Sequence, residues 1–348
     1  MRLEARRPTR AVTLGYPALA IAATFALAGL LTLAAGASPF GVFALVLKGA
    51  AGSSFAISET LARATPLIFT GLAVAVAFRT RLWNIGAEAQ LYAGAVITVM
   101  LGTGALPLPG PLLIPLIALA AMLTGGLVLL GPVVLKTRFG VDEVVTTLLL
   151  NFIMLLFVSM LLEGPLKDPM GLGWPQSARV SDEAQWPRLV QGRRVHLGFP
   201  IAIFAALAVW VLMARTVLGY EMRAVGMNAE AARFAGIRVN RVLAKTALIS
   251  GGLAALAGVS EVSGLKGNLT LDLSPGYGYT GIVVAMLALL HPLGVVAAGI
   301  FVAGIFVGAD AMSRAAGVPS YIADVMTATA LLTMGAAVTL SHYRIRWR

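Results

Sequence analysis

Arg215–Lys245, RTVLGYEMRAVGMNAEAARFAGIRVNRVLAK, is a basic, alanine-rich island between two apolar stretches. It carries six cations (Arg215, Arg223, Arg233, Arg238, Arg241, Lys245) against two carboxylates, Glu221 and Glu230. Its Ala and Arg content favours helix, and Gly226-Met227-Asn228 and Gly236 predict breaks on either side of a helical piece of about two turns. A short helix held in a loop between membrane spans is a shape a soluble partner can grip.

Around the island the chain is built for lipid. Of its 348 residues 59% are hydrophobic and 12% charged, with a mean hydropathy of +0.89, whereas soluble domains carry roughly 25% charged residues. A bilayer span needs about 20 apolar residues, and such runs recur almost end to end. The expected fold is an all-α, polytopic helix bundle in one transmembrane domain, 1–348. About ten spans (eight to ten) are expected, at 17–37, 60–78, 84–103, 111–135, 144–162, 198–214, 246–264, 280–290, 292–309 and 319–340. The segments 280–290 and 292–309 also read as one broken or re-entrant element around His291-Pro292. Arg2, Arg6, Arg7 and Arg10 ahead of the first run resemble the start of a signal peptide, with Ala35-Gly36-Ala37 a passable cleavage site. An uncleaved first span is preferred, since the run is span-length and more spans follow.

Charge asymmetry orients the bundle. With the N-terminus inside, the inner segments hold seventeen cations and the outer ones eight, with Arg63 near an outer span end. Both termini are then cytoplasmic. The tail is 1–16, the long outer loop 163–197 and the inner loop 215–245. In the outer segment 38–58, Phe40–Leu47 has the composition of a short helix lying along the membrane surface. The Trp residues of 163–197, Trp174 and Trp186, suit the interface. The net charge of +11 does not point to nucleic acid, because the cations sit in short loops flanking spans. There is no Cys, hence no disulfide framework.

Little supports catalysis by this chain. His196, His291 and His342 are scattered, without HExxH or a metal-spaced cluster. None of the five Lys follows a Gly, so there is no phosphate loop, and any ATP hydrolysis comes from another chain. No catalytic residue and no metal ligand is expected.

Polar residues inside spans are more informative, because they are expensive in lipid and usually face a bundle interior or water. Asn84, Glu88 and Gln90 sit at the start of a weakly apolar span, either lining a hydrophilic path or pinning the helix start. Asn151, half-way along 144–162, reads as packing glue between helices or as a substrate contact. Asp142-Glu143 suit the N-terminal dipole of the same helix. Glu261 faces the path or reaches the outer interface. In 273–294, LSPGYGYTGIVVAMLALLHPLG, Gly276, Gly278 and Gly281 loosen the entry to an apolar segment of about ten residues that breaks at His291-Pro292. Short, Gly/Pro-interrupted apolar segments point to a transport path; an ordinary loop with short tilted helices is the plainer reading. Small-residue pairs such as Ala254/Gly258 and Gly304/Gly308 predict close helix packing.

Four segments, LWNIGAEAQLYAGA (82–95), RFGVDEVVTTLLLNFI (138–153), RAVGMNAEAARFAGI (223–237) and GYGYTGIVVAMLALLHPLG (276–294), resemble the permease subunits of bacterial ATP-binding-cassette importers for nucleosides and simple sugars. That branch is related to the branched-chain amino-acid permeases. The resemblance runs over roughly 60–340 in matching order. It implies a second permease subunit, homologous or identical, a cytoplasmic ATPase binding ATP and Mg, and an external substrate-binding protein. The location it implies is the bacterial inner membrane. It makes the island the ATPase-coupling element, with Arg223, Gly226, Asn228, Glu230, Ala231, Ala232, Arg233 and Gly236 as its residues. Leu248 fits the fuller pattern, whereas Thr246 and Ile249 stand where Ile and Pro occur.

The expected function is thus ATP-driven import of a small neutral solute by alternating access, a nucleoside first and a simple sugar next. The alternatives are an ion-coupled secondary transporter, disfavoured by the few mid-span carboxylates, and a non-transporting structural membrane subunit.

Overall fold

The computed structural model describes residues 38–104 and 106–316 continuously, and scattered positions within 2–33 and 321–346. The regular secondary structure of the described residues is helical apart from a short antiparallel ribbon. In chain order they form strand β1 (Arg2–Ala5) and helices α1 (Pro39–Ala51), α2 (Ser54–Arg79), α3 (Ala87–Gly102), α4 (Gly110–Phe139), α5 (Glu143–Glu163) and α6 (Gly198–Arg215). After these come α7 (Val217–Met227), α8 (Ala229–Phe234), α9 (Val239–Glu261), α10 (Tyr277–Leu287), α11 (Pro292–Ala316) and strand β2 (Tyr343–Arg346).

Six of these helices are long and apolar enough to cross a membrane: α2, α4, α5, α6, α9 with its continuation to Lys266, and α11 to Ala315. Three more, α1, α3 and α10, are apolar but shorter. Eight of the ten expected spans therefore have a helix. Of the other two, 17–37 is described at scattered positions between 19 and 33, all of them helical, and 319–340 lies largely outside the described residues. The expected break at His291-Pro292 is a turn between two separate helices, α10 and α11, in which Leu289 and Leu290 both take positive φ, +50° and +57°.

The chain forms two compact units, 61–300 and 1–60 with 301–348, the division falling inside α2 and α11. In the smaller unit β1 pairs with β2, Arg2 opposite Arg346 and Ala5 opposite Tyr343. Val42 and Val46 of α1 pack with Ile305, Ala309 and Met312 of α11. Gly308 lets α11 lie directly on the Val46 carbonyl, as its small-residue pair predicts. The opposite face of α1 is bare: Phe40 is 89% and Leu47 71% exposed.

In the larger unit a buried centre is ringed by helices that turn apolar side chains outward. The most apolar window is 83% buried in α2 and 78% in α9, against 33%, 17% and 28% in α4, α5 and α6. Residue size explains the centre. Gly125 of α4 and Gly251 of α9 each sit on the other's carbonyl, and Gly258 sits on the Leu91 carbonyl of α3. Without side chains the backbones approach closely enough for dispersion to replace the missing hydrophobic drive between helices in lipid. α5 shows the opposite arrangement, burying a single stripe that includes Glu143, Thr147, Asn151, Val158 and Leu162. The four-residue spacing of its polar members places them on one helix face.

The loop between α5 and α6 folds back through isolated bridges, Lys167 with Ser177, Gln176 with Thr270 and Arg188 with His196. Trp174 is 73% exposed, as an interfacial residue would be, but Trp186 is only 3% exposed. The expectation for Trp186 is thus corrected: it stacks obliquely on the buried His196, ring centroids 5.8 Å apart.

Candidate functional site

The island folds as two helices set end to end. Thr216 caps α7 by accepting from the Gly219 amide at 3.1 Å, and Asn228 caps α8 by accepting from Glu230 and Ala231 at 3.0 and 3.1 Å. A short polar side chain at the N-cap satisfies amides that have no partner in the first turn. α8 ends in a paired cap: Gly236 donates to the Arg233 carbonyl and Ile237 to that of Ala232, both at 3.0 Å. Gly236 takes φ +87°, the left-handed conformation that this cap requires and a side chain disfavours. The spacing Glu230-Ala231-Ala232-xxx-Gly236 is therefore a complete capped unit of six helical residues.

What α8 and the end of α7 present is specific. Ala232 is buried and anchors it, whereas Met227 is 73% and Phe234 97% exposed, with Glu230 and Arg233 also exposed beside them. The expected break at Gly226-Met227-Asn228 falls at Asn228, whose extended backbone (φ −158°) separates α7 from α8. Gly226 itself lies inside α7, where a Cβ would collide with the Arg79 carbonyl at the end of α2. Its smallness serves close approach rather than a turn. Arg223 donates Nη1 back to the Met213 carbonyl of α6, closing the α6–α7 corner.

A second set of residues meets where the chain leaves α2 and enters α3. Asn84 and Gln90, both fully buried, form a reciprocal amide pair, with each NH2 donating to the other's carbonyl at 2.9 Å. Asn84 also donates to Ser250 Oγ of α9 at 3.0 Å, and that hydroxyl donates to the Ala73 carbonyl at 2.7 Å. Asn151 donates to the Ile85 carbonyl and to Tyr279 Oη of α10, and accepts from the Ala89 amide, all at 3.0 Å. Glu88 accepts from the Gly278 amide at 2.6 Å, and the absence of a Cβ at Gly278 lets α10 reach the start of α3. Non-helical backbone at membrane depth must be satisfied by protein or water. In Leu82–Gly86 the Gly86 amide donates to Asn84 and the Ile85 carbonyl accepts from Asn151, while the Trp83 and Ile85 amides donate to Glu143 and Thr147.

The structure thus joins Asn84, Gln90, Asn151, Glu88 and Gly278 in one region linking α3 with α5, α9 and α10. Gly276, φ +89°, precedes α10, whose first amides are capped by Ser274 Oγ accepting from Gly276 at 3.1 Å and Tyr277 at 2.8 Å. Gly281 faces Thr70, where a Cβ would come within 2.6 Å of the hydroxyl oxygen. Glu261 is not hydrogen-bonded to this set; it is 1% exposed and its Oε1 has no hydrogen-bond partner. It ends α9 where the helix widens into the π-turn Val262–Lys266, a feature frequent at functional sites. Asp142 caps α5, accepting from Val144 at 2.7 Å, while Glu143 forms an ion pair with Lys136.

Sequence reasoning missed Ser250, Ser274 and Tyr279, whose single hydroxyls sit among small or apolar neighbours. The available signal for the α5 stripe was the spacing of Glu143, Thr147 and Asn151.

A run of apolar helices around a buried polar region, interrupted by one short capped and exposed helix, defines a multi-pass helical membrane protein. The chain belongs to the branched-chain amino acid transport system permease component family, whose model matches residues 56–335. It is therefore a transporter permease subunit. It is 35% identical to the glucose ABC transporter permease protein TsgB13 of Haloferax volcanii over 99% of this chain and 93% of that one. It is 34% identical to the guanosine ABC transporter permease protein NupP of Bacillus subtilis (95% and 94%) and 32% identical to the nucleoside ABC transporter permease protein NupB of Lactococcus lactis (90% and 88%). No solved structure matches the chain.

Proposed function

We propose that the chain is the translocating subunit of an ATP-driven importer for a small neutral solute, a nucleoside first and a simple sugar next. The observation that carries this is α8, a short, doubly capped helix with an aromatic residue 97% exposed at its end. An exposed Phe beside Arg233, with Met227 exposed at the end of the preceding helix, is the kind of surface a protein partner covers. In this reading α8 docks into a cytoplasmic ATPase subunit, which holds ATP and Mg, so hydrolysis is not a property of this chain. The coupling residues are Arg223, Gly226, Asn228, Glu230, Ala231, Ala232, Arg233 and Gly236, with Arg223 acting through the α6–α7 corner. A second permease, homologous or identical, completes the path, and an external binding protein delivers substrate.

The path runs beside Asn84, Glu88, Gln90, Asn151, Glu261, Gly276, Gly278 and Gly281. Within this set the amide pair holds helices in register, and Glu88, Glu261 and the α10 entry border the solute. The names of the relatives support nucleosides and sugars. About ten crossings with both ends cytoplasmic, in a bacterial inner membrane, remains the proposed topology. The pairing of β1 with β2 supports ends on one side and hence an even number of crossings.

Competition uptake with labelled nucleosides and glucose, in cells with and without the gene, tests this. Loss of nucleoside uptake on deletion is expected. Loss of glucose uptake alone moves the substrate to sugars, and loss of neither removes the assignment.

A further inference from the structure

A cavity of about 150 Å3 opens where α2, α6, α7 and the turn before α11 meet, and Arg79, Trp210, Met213, Arg223 and His291 are among its lining. None of its nine lining residues is acidic, and among the described residues neither arginine forms an ion pair with a carboxylate. Arg79 donates Nη2 to the Leu290 carbonyl at 3.3 Å and Arg223 donates Nη1 to the Met213 carbonyl. A guanidinium has five N–H donors, so both retain most of their donors. Their placement is built in. Gly226 seats α7 on the Arg79 carbonyl, and the Leu289–Leu290 turn, strained at both residues, presents the carbonyl that holds Arg79. Two uncompensated guanidiniums around one cavity make a place for an oxyanion.

The surface leading into the cavity identifies the source of that anion. Phe204, Leu207 and Val211 of α6 are 71%, 45% and 46% exposed. With the exposed Ala214, which itself lines the cavity, they recur at i, i+3, i+7 and i+10, one continuous stripe on a helix. An apolar stripe ending at a doubly cationic pocket matches acyl chains ending at a phosphate.

We infer that this cavity holds the phosphodiester headgroup of an anionic phospholipid, with an acyl chain lying along the α6 stripe. The site rests on the proposed placement of Arg215–Lys245 at the inner water boundary, where basic pockets between helices recognise such headgroups. It does not depend on which solute is carried.

Native mass spectrometry of the delipidated full-length protein, titrated with phosphatidylglycerol or phosphatidylcholine, tests it without any transport assay. The wild type should retain one phosphatidylglycerol at least about tenfold more tightly than phosphatidylcholine, because both lipids offer a phosphodiester but the fixed cation of choline is repelled by the two guanidiniums. Arg79→Gln/Arg223→Gln should lose that preference and Arg79→Lys/Arg223→Lys should keep most of it. If the glutamine pair does not fold, Ala214→Trp, which obstructs the cavity where the stripe reaches it, should weaken retention instead. Equal retention of the two lipids by the wild type, or unchanged preference in the variants that fold, overturns the site. Displacement of the lipid by millimolar inorganic phosphate assigns the pocket to a free anion and overturns the lipid. Loss of ATPase attachment with lipid preference intact assigns the guanidiniums to a protein carboxylate, with the same consequence.

Discussion

His196 shows how much a single buried side chain can commit a loop to one protonation state. Its Nδ1 accepts from the Gly198 amide at 3.1 Å, which only the neutral ring can do, and a Cβ at Gly198 would come within 2.6 Å of the ring. Burial first, and the Arg188 charge second, push its pKa from 6.5 down to about 4. The unfolded chain therefore takes up the proton before the folded one does. Stabilisation is complete above about pH 6.5, declines below it, and is lost as the pH falls through about 4. The whole loss is on the order of 3 kcal/mol. Thermal unfolding of the solubilised protein should show stability falling across that window, and His196→Gln should flatten the slope. An unchanged slope in the variant would show that another group carries it. At this scale the sequence spoke clearly where chemistry was unusual for its setting. Asn84, Gln90 and Asn151 stood out because amides in an apolar span need partners. Who those partners were was not legible: the Asn84–Gln90 pair is local, but Ser250 and Tyr279 are remote in sequence, and only the fold brings them near.

At the scale of the element, the caps of α8 were legible and the role of Gly226 was not. Asn228 and Gly236 bracket α8 as N-cap and left-handed C-cap residues, and their separation alone specifies a helix of about this length. Gly226 reads as part of the same break, yet α7 continues through it to Met227 and the break falls at Asn228, because tertiary contact with the Arg79 carbonyl overrides the low helix propensity of glycine. A methyl group there must displace α7 from the end of α2. Gly226→Ala should therefore reduce transport per ATP hydrolysed in the reconstituted complex by about tenfold or more while leaving insertion intact, the weight of a small-to-large change at a tight contact, about 1–3 kcal/mol. Gly236→Ala has open space around it and only φ to oppose it, so it should cost about 1 kcal/mol of local stability and a smaller part of the coupling. A larger coupling defect in Gly236→Ala than in Gly226→Ala would contradict this ordering. The same override explains Trp186: Trp is common at membrane interfaces, but here the His196 ring and the folded loop supply a dry partner.

For the whole molecule, hydropathy located the membrane-crossing helices but not their rank from centre to rim. α2 and α9 are no more apolar than α4 or α5, yet they are the buried ones, because their small residues admit neighbours on several sides while the larger residues of α5 face outward. Composition also placed a basic, exposed island among those helices, and the proposed docking of α8 on an ATPase would give that island a purpose. In the proposed function, α8 is the surface that takes up the motion of an ATPase. The most direct measurement is recovery of the ATPase subunit with the membrane-inserted permease, comparing wild type with Arg233→Glu and Phe234→Asp. The wild type should bring the ATPase down in a fixed ratio, and both variants should insert normally but release it, with solute uptake lost. Undiminished ATPase recovery and uptake in both variants, or uptake by the wild type without any ATPase, would contradict it.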